Sequence, residues 1–290
     1  MTARQTLAGI ALIAMVAANA MAQDGNSEND GAPETPAAPQ AGTARKPHAP
    51  LVINDETIGV LRQNQVGSLV VPQGTPPFPA VVVLHGCNGV SPNTRAWARR
   101  LASWGYAALI IDSFSSRGLK QVCDGSRALP GPERARDAFA AAAYLRSRPD
   151  IDGGRIGVLG YSHGGWTALN TAPEKRVAEA GQPQFRAIVA LYPFCPPKIA
   201  PQLATDVQIF IGDADDWAKA SNCRAFVENY AADAPHRPSL VVYPGARHSF
   251  DANEPDRIYF GHQLVYDPKA TADAVEKTRK FLDDHLRAER

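Results

Sequence analysis

The stretch Gly160-Tyr161-Ser162-His163-Gly164 sets a serine between glycines directly after the apolar run Ile156-Gly157-Val158-Leu159. A serine on a sharp turn between a strand and a helix is lifted above the sheet, and the positions two residues either side must be small so that strand and helix can approach. The same turn aims the backbone N–H of His163 at the space before the hydroxyl. A serine hydroxyl is a weak nucleophile until a base takes its proton, so a base is expected on a later loop. His248, in Tyr243-Pro244-Gly245-Ala246-Arg247-His248-Ser249-Phe250, follows the last strand-like run and meets that need. Its imidazole needs a carboxylate to fix the tautomer and stabilise the cation. Three acids compete in Gly212-Asp213-Ala214-Asp215-Asp216-Trp217, and Asp215 is the assignment. Attack on a carbonyl also needs donors for the developing oxyanion. One is the His163 amide. The other is expected from His85-Gly86-Cys87-Asn88-Gly89, at the Cys87 amide. His85 reads as an anchor of that loop, and the His163 side chain as part of the cleft lining.

These residues require a frame. Apolar, β-branched runs occur at 68–71, 80–84, 107–111, 155–159, 187–191, 207–211 and 239–242. Helical patterns fall between most of them, at 94–104, 132–146 and 221–232, and a last helix begins with Asp267 as cap and Pro268 at its first position. Alternating strands and helices imply a mostly parallel sheet with helices on both faces. In such sheets the working groups sit on loops at the carboxyl ends of the strands. The order Ser162, Asp215, His248 is that of α/β-hydrolases. No cap domain is expected, because residues 192–206 form a short proline-rich connection. Tyr192, Phe194 and Trp217 are candidate pocket residues, and 252–266 a candidate further wall.

The start of the chain is different. Arg4, an apolar run from Leu7 to Ala18 and small residues up to Ala22 read as a secretory signal peptide over residues 1–22, with Ala20 as the alternative cleavage position. The apolar run is shorter than the roughly 20 residues a membrane span needs. Residues 23–50 are rich in Asp, Asn, Gly, Ala and Pro, which reads as a flexible linker unable to offset its chain entropy by burial. Residues 51–290 remain for one catalytic domain. The formal charge of +1 gives no sign of a nucleic-acid surface. The four cysteines lack C-x-x-C spacing, so no metal site is expected, and no cofactor motif is visible. These features point to a periplasmic or secreted protein without stable membrane insertion after signal cleavage. The oligomeric state is not legible.

The blocks "VVVLHGCNG", "GYAALIIDSF", "GVLGYSHGGW", "IGDADDW", "YPGARHSFD" and "YDPKATADAVEKTRKFL" resemble the dienelactone hydrolase family of α/β-hydrolases, from about Val66 to Leu286. The resemblance places the acid of Gly-x-x-Asp at Asp215 and the base of His-Ser-Phe at His248. It also shows departures. The founding members use a cysteine nucleophile where this chain has Ser162, a glutamate where it has Gly86, and an arginine shortly after His-Ser-Phe where Asp251 and Ala252 stand. A serine member cleaving small esters or lactones is implied. A peptidase or acyl-transferase using the same residues, or a non-catalytic binding protein, are the alternatives.

In this fold the loops bearing Cys87 and Cys123 leave neighbouring strands, as do those bearing Cys195 and Cys223, so Cys87–Cys123 and Cys195–Cys223 disulfides are expected. The alternative is four buried thiols. Without the family arginine, and with Asp251 expected to repel anions, small neutral substrates are expected to be preferred. Arg117 is the candidate that could reach the site and restore a cation, whereas Arg247 is expected to point away.

Overall fold

Val81-Val82-Val83-Leu84 and Ala108-Leu109-Ile110-Ile111 carry no polar side chain on either face of the pleat, the pattern of strands covered on both sides. The computed structural model describes residues 55–58, 66–125, 128–197 and 199–287. The expected signal peptide at 1–22 and linker at 23–50 lie outside the described residues. The chain forms β1 (Asp55–Ile58), β2 (Val66–Val70), β3 (Phe78–Leu84), α1 (Pro92–Ser103), β4 (Ala107–Asp112), α2 (Gly131–Ser147), β5 (Ile151–Tyr161) and α3 (His163–Leu169). It continues through α4 (Glu174–Ala180), β6 (Ile188–Leu191), β7 (Val207–Gly212), α5 (Ala220–Glu228), β8 (Pro238–Tyr243), β9 (Arg257–Tyr259), β10 (His262–Leu264) and α6 (Pro268–Leu286).

Eight strands make one sheet in the order β1-β2-β4-β3-β5-β6-β7-β8. β1 and β2 run antiparallel at one edge, and β4, β3, β5, β6, β7 and β8 are parallel. Residues 81–84, 107–111, 156–161 and 188–191 are buried continuously, so both faces are covered. α2 packs with α3. α1 and α6 are tied to each other through the turn between α1 and β4: Tyr106 donates its hydroxyl to Asp283 at 2.5 Å, and Arg287 donates to the Trp104 carbonyl. The fold is that of a mostly parallel α/β-hydrolase. Among the described residues no cap domain interrupts it, and the 192–206 connection carries neither helix nor strand.

The differences from the sequence reading are local. The helix expected over 221–232 ends at Glu228, where Asn229 turns its amide onto the Pro197 carbonyl. The edge strand β1, the short helix α4 and the β9–β10 hairpin are additional. That hairpin turns at Phe260 and Gly261, both at positive φ as a tight two-residue turn demands. Its strands have three residues each, too few to show alternation.

Candidate active site

Ser162 caps α3 directly after β5 with φ 54° and ψ −122°, a backbone conformation that costs energy for a residue with a Cβ. The flanking glycines are demanded by contact. A Cβ on Gly160 would stand 2.1 Å from the Gly164 carbonyl oxygen, and one on Gly164 would stand 2.1 Å from the Leu84 oxygen. The second contact also fixes a neighbourhood, because the first turn of α3 lies against the end of β3, where the loop containing Cys87 begins.

The Ser162 hydroxyl lies 2.9 Å from His248 Nε2 and donates to it when His248 is neutral. His248 Nδ1 in turn donates to Asp215 Oδ2 at 2.8 Å. The other carboxylate oxygen, Oδ1, accepts the N–H groups of Trp217 at 2.9 Å and Ala218 at 2.7 Å. Both His248 and Asp215 are buried. The neighbouring acids do other work. Asp213 accepts the Gly245 N–H at 2.7 Å and holds the histidine loop. Asp216 accepts the Gln263 N–H and faces His262 at 3.5 Å, so it holds the hairpin. The acid and histidine loops touch at Gly212, where a Cβ would strike the Ala246 oxygen at 2.0 Å. Three of the four non-glycine residues at positive φ among those described, Ser162, Tyr192 and Ser249, border this cluster, as expected where surrounding structure imposes a functional geometry.

A cleft open to solvent lies over Ser162 and His248. Cys87 and Asn88 line one side, Tyr192 and Trp217 another, and Arg257 and Tyr259 of the hairpin a third. Among the described residues, the Cys87 and His163 N–H groups are both left without an acceptor.

The region behind these amides is organised by Arg134, fully buried on α2. It donates to the His85 carbonyl at 2.8 Å, to His163 Nδ1 at 3.0 Å and to Ser113 Oγ at 3.0 Å. Burial lowers its pKa to about 10, so it stays charged at neutral pH. Because arginine only donates, His163 Nδ1 accepts and the ring is neutral. Burial, and then the Arg134 charge, hold its pKa down to about 3. His85 is held well below the ordinary range by burial and then by Arg134. Its Nε2 accepts the Ser113 N–H at 3.2 Å, and Nδ1 donates to the Gly86 carbonyl at 2.7 Å. The sequence reading did not single out Arg134; the signal that could have found it is its place on a helix face shared with Ala138, Ala141 and Leu145, where an unpaired charge is costly.

The family matches residues 66–286. The chain belongs to the dienelactone hydrolase family. Membership makes it a carboxylic ester hydrolase. A Bradyrhizobium protein described as "Probable 2-oxo-3-(5-oxofuran-2-ylidene)propanoate lactonase" is 26% identical over 79% of this chain and 93% of its own length. Among solved structures, a dienelactone hydrolase-like promiscuous phosphotriesterase from metagenomic libraries superposes with a TM-score of 0.65 at 22% identity, over 80% of this chain and 98% of its own. Esterase 2 of Thermogutta terrifontis gives 0.61 at 21%, over 84% and 100%.

Several sequence expectations for this hydrolase need correction. Arg117 does not line the cleft; its guanidinium is held by both Asp137 oxygens, at 2.8 and 2.9 Å, and by the Ser113 carbonyl. Phe194 packs edge-on against Trp166, 5.4 Å between centroids, outside the cleft lining. The His163 side chain is buried on Arg134 rather than turned to the cleft. Asp251 presents no anion to substrate. It is buried and accepts from Tyr192, Trp97 and Asn93. The cation at the cleft is Arg257, on the hairpin that the sequence did not reveal, and Glu254 neutralises it at 2.7 Å. The two disulfides are as expected, Cys87 with Cys123 and Cys195 with Cys223.

Proposed function

We propose that this hydrolase is exported and cleaves small, neutral carboxylic esters or lactones through an acyl-enzyme on Ser162. The observation that carries the reading is the continuous line from Ser162 Oγ through His248 to Asp215, at 2.9 and 2.8 Å. His248 Nε2 takes the Ser162 proton as Oγ bonds to the carbonyl carbon. The carbonyl oxygen becomes an oxyanion between the Cys87 and His163 amides, donors fixed before reaction. The intermediate collapses, and the proton on Nε2 passes to the leaving alkoxide, which in a lactone stays tethered to the acyl group. Water then gives a proton to His248 and attacks the ester carbon. The second intermediate releases the acid as Ser162 recovers its proton. Asp215 keeps the Nδ1–H tautomer and stabilises the imidazolium without being protonated.

The open cleft, with no cap over it among the described residues, suits small or exposed esters. The lactonase named for the Bradyrhizobium relative supports including lactones. Export rests on the signal-like N-terminus and agrees with two disulfides, which persist in oxidising compartments. No described helix is long and apolar enough to cross a membrane. The test is a fluorophosphonate probe followed by peptide mapping, together with a panel of short-chain esters, lactones and amides. Labelling at Ser162 with ester or lactone turnover supports the reading; no labelling, or turnover of amides alone, overturns it.

A further inference from the structure

Cys87, an oxyanion donor in the reading above, has its side chain and its carbonyl both tied to one other segment. Its Sγ is bonded to Cys123, and its carbonyl accepts the Val122 N–H at 2.9 Å. The amide N–H is then the residue's remaining polar group, on a residue that lines the cleft. The anchoring segment is buried, with Val122 1% and Cys123 9% exposed. It belongs to a small apolar cluster with Phe114 and Leu129, separate from the main core, and Trp217 and Tyr259 of the cleft pack against it. Neither 85–89 nor 122–123 lies in a helix or strand. No sheet ladder therefore holds the Cys87 amide in place; Arg134 and His85 hold the start of its loop, and without the disulfide the 85–89 and 122–123 segments keep only the hydrogen bond and side-chain packing between them.

We propose that the Cys87–Cys123 disulfide is a positioning element of the oxyanion hole, holding the Cys87 amide where the developing oxyanion forms. The proposal rests on the serine-esterase reading. The second disulfide provides the contrast. Cys195 and Cys223 belong to the main core, join the β6–β7 connection to α5, and do not line the cleft. One bond thus acts on the reaction and the other on stability.

Geometry that serves the transition state alone shows in kcat rather than in substrate binding. Loss of an oxyanion donor costs on the order of 100- to 1000-fold, and a shift of about 1 Å can cost 100-fold. The double variant Cys87→Ala/Cys123→Ala should lower kcat for a short-chain ester by roughly 10- to 100-fold, with KM within about threefold. Its affinity for an alkylboronic acid, whose tetrahedral serine adduct places an oxygen in the hole, should fall in parallel. Cys195→Ala/Cys223→Ala should lower Tm and leave kcat within about twofold, as expected for a link that acts on stability. If the first variant does not fold, the wild-type protein is treated with a water-soluble phosphine. Each disulfide opened gains two electrons from the phosphine and two protons from water, leaving two thiols and the phosphine oxide. Differential alkylation then identifies molecules open only at Cys87–Cys123, and these should show the same loss of kcat. A folded protein lacking this disulfide that keeps kcat and boronate affinity within about twofold of wild type overturns the proposal. So does an equal loss of kcat in both double variants. Wild-type enzyme that fails to react through Ser162 would instead overturn the esterase reading itself.

Discussion

Tyr192 donates its hydroxyl to Asp251 at 2.5 Å while its ring packs edge-on against His248, with 4.8 Å between centroids. The aromatic wall of the base is thereby fixed from below by a buried carboxylate, which also accepts from Trp97 at 2.6 Å and Asn93 at 3.1 Å. Burial, and then the Asp251 charge, hold the Tyr192 phenol well above its ordinary range, so it remains a donor. Asp251→Asn would set amide hydrogens against donors. It should cost about 2–4 kcal/mol of stability, and Tyr192→Phe about 1.5–3 kcal/mol, both read by urea unfolding. Losses under about 0.5 kcal/mol in both would show that this network does not support the site.

The three acids after β7 should separate cleanly. In Asp215→Asn the amide oxygen is kept by the Trp217 and Ala218 N–H groups, so the NH₂ faces His248 Nδ1 and moves the ring proton to Nε2. The base is then blocked toward Ser162, and kcat should fall by roughly 10³- to 10⁴-fold. Asp213→Asn and Asp216→Asn should stay within about tenfold in kcat, since they hold loops and do not meet the base. A dead Asp216→Asn beside an active Asp215→Asn would overturn the assignment.

Buried neutral histidines make stability depend on pH. His163 has its folded pKa lowered from 6.5 to about 3, and that of His85 is also well below 6.5. The unfolded chain therefore takes up these protons first as pH falls. Their contribution to stability is fully present above about pH 6.5 and is lost progressively below it, with slope near 1.4 kcal/mol per pH unit for each histidine at full effect. Urea unfolding at pH 7.5, 6 and 5 should show the decline. His163→Gln, whose amide oxygen can still accept from Arg134, should reduce the slope by about one proton's share. An unchanged slope in that variant would contradict this account.

With Arg117 held by Asp137 and Arg257 neutralised by Glu254, the cleft offers no uncommitted cation among its described lining residues, and neutral esters should be preferred. Glu254→Gln releases Arg257. It should raise kcat/KM for a carboxylate-bearing ester about 3- to 10-fold relative to a neutral analogue with the same leaving group, a modest effect because the pair is solvent-screened. A wild-type enzyme preferring the anion, or no change in Glu254→Gln, would contradict this.

The parts of the fold legible in the sequence were those with a repeating physical signal. Continuous apolar runs marked the parallel strands, and Asp267-Pro268 marked the start of α6. Ser162 was legible because its turn demands glycine on both sides, and His248 because it follows the last strand of the sheet. The cleft walls were legible only in part: Tyr192, Trp217 and the 252–266 segment line the cleft as expected, whereas Arg117 and Phe194 do not. β9 and β10 are too short for periodicity, so Arg257 and Tyr259 looked like loop residues. Asp251 looked like a cleft anion because the residues that bury it, Trp97, Asn93 and Tyr192, lie more than fifty positions away in sequence.

Turnover through an ester on Ser162 would leave the acyl group on that residue. Turnover of an activated acetate ester, quenched in acid and followed by peptide mass spectrometry, tests it most directly. The acetyl group should be found on the Ser162 peptide, increase when deacylation is slowed, and be absent together with activity in Ser162→Ala. Acetyl on another residue, or hydrolysis that survives in Ser162→Ala, would contradict the account.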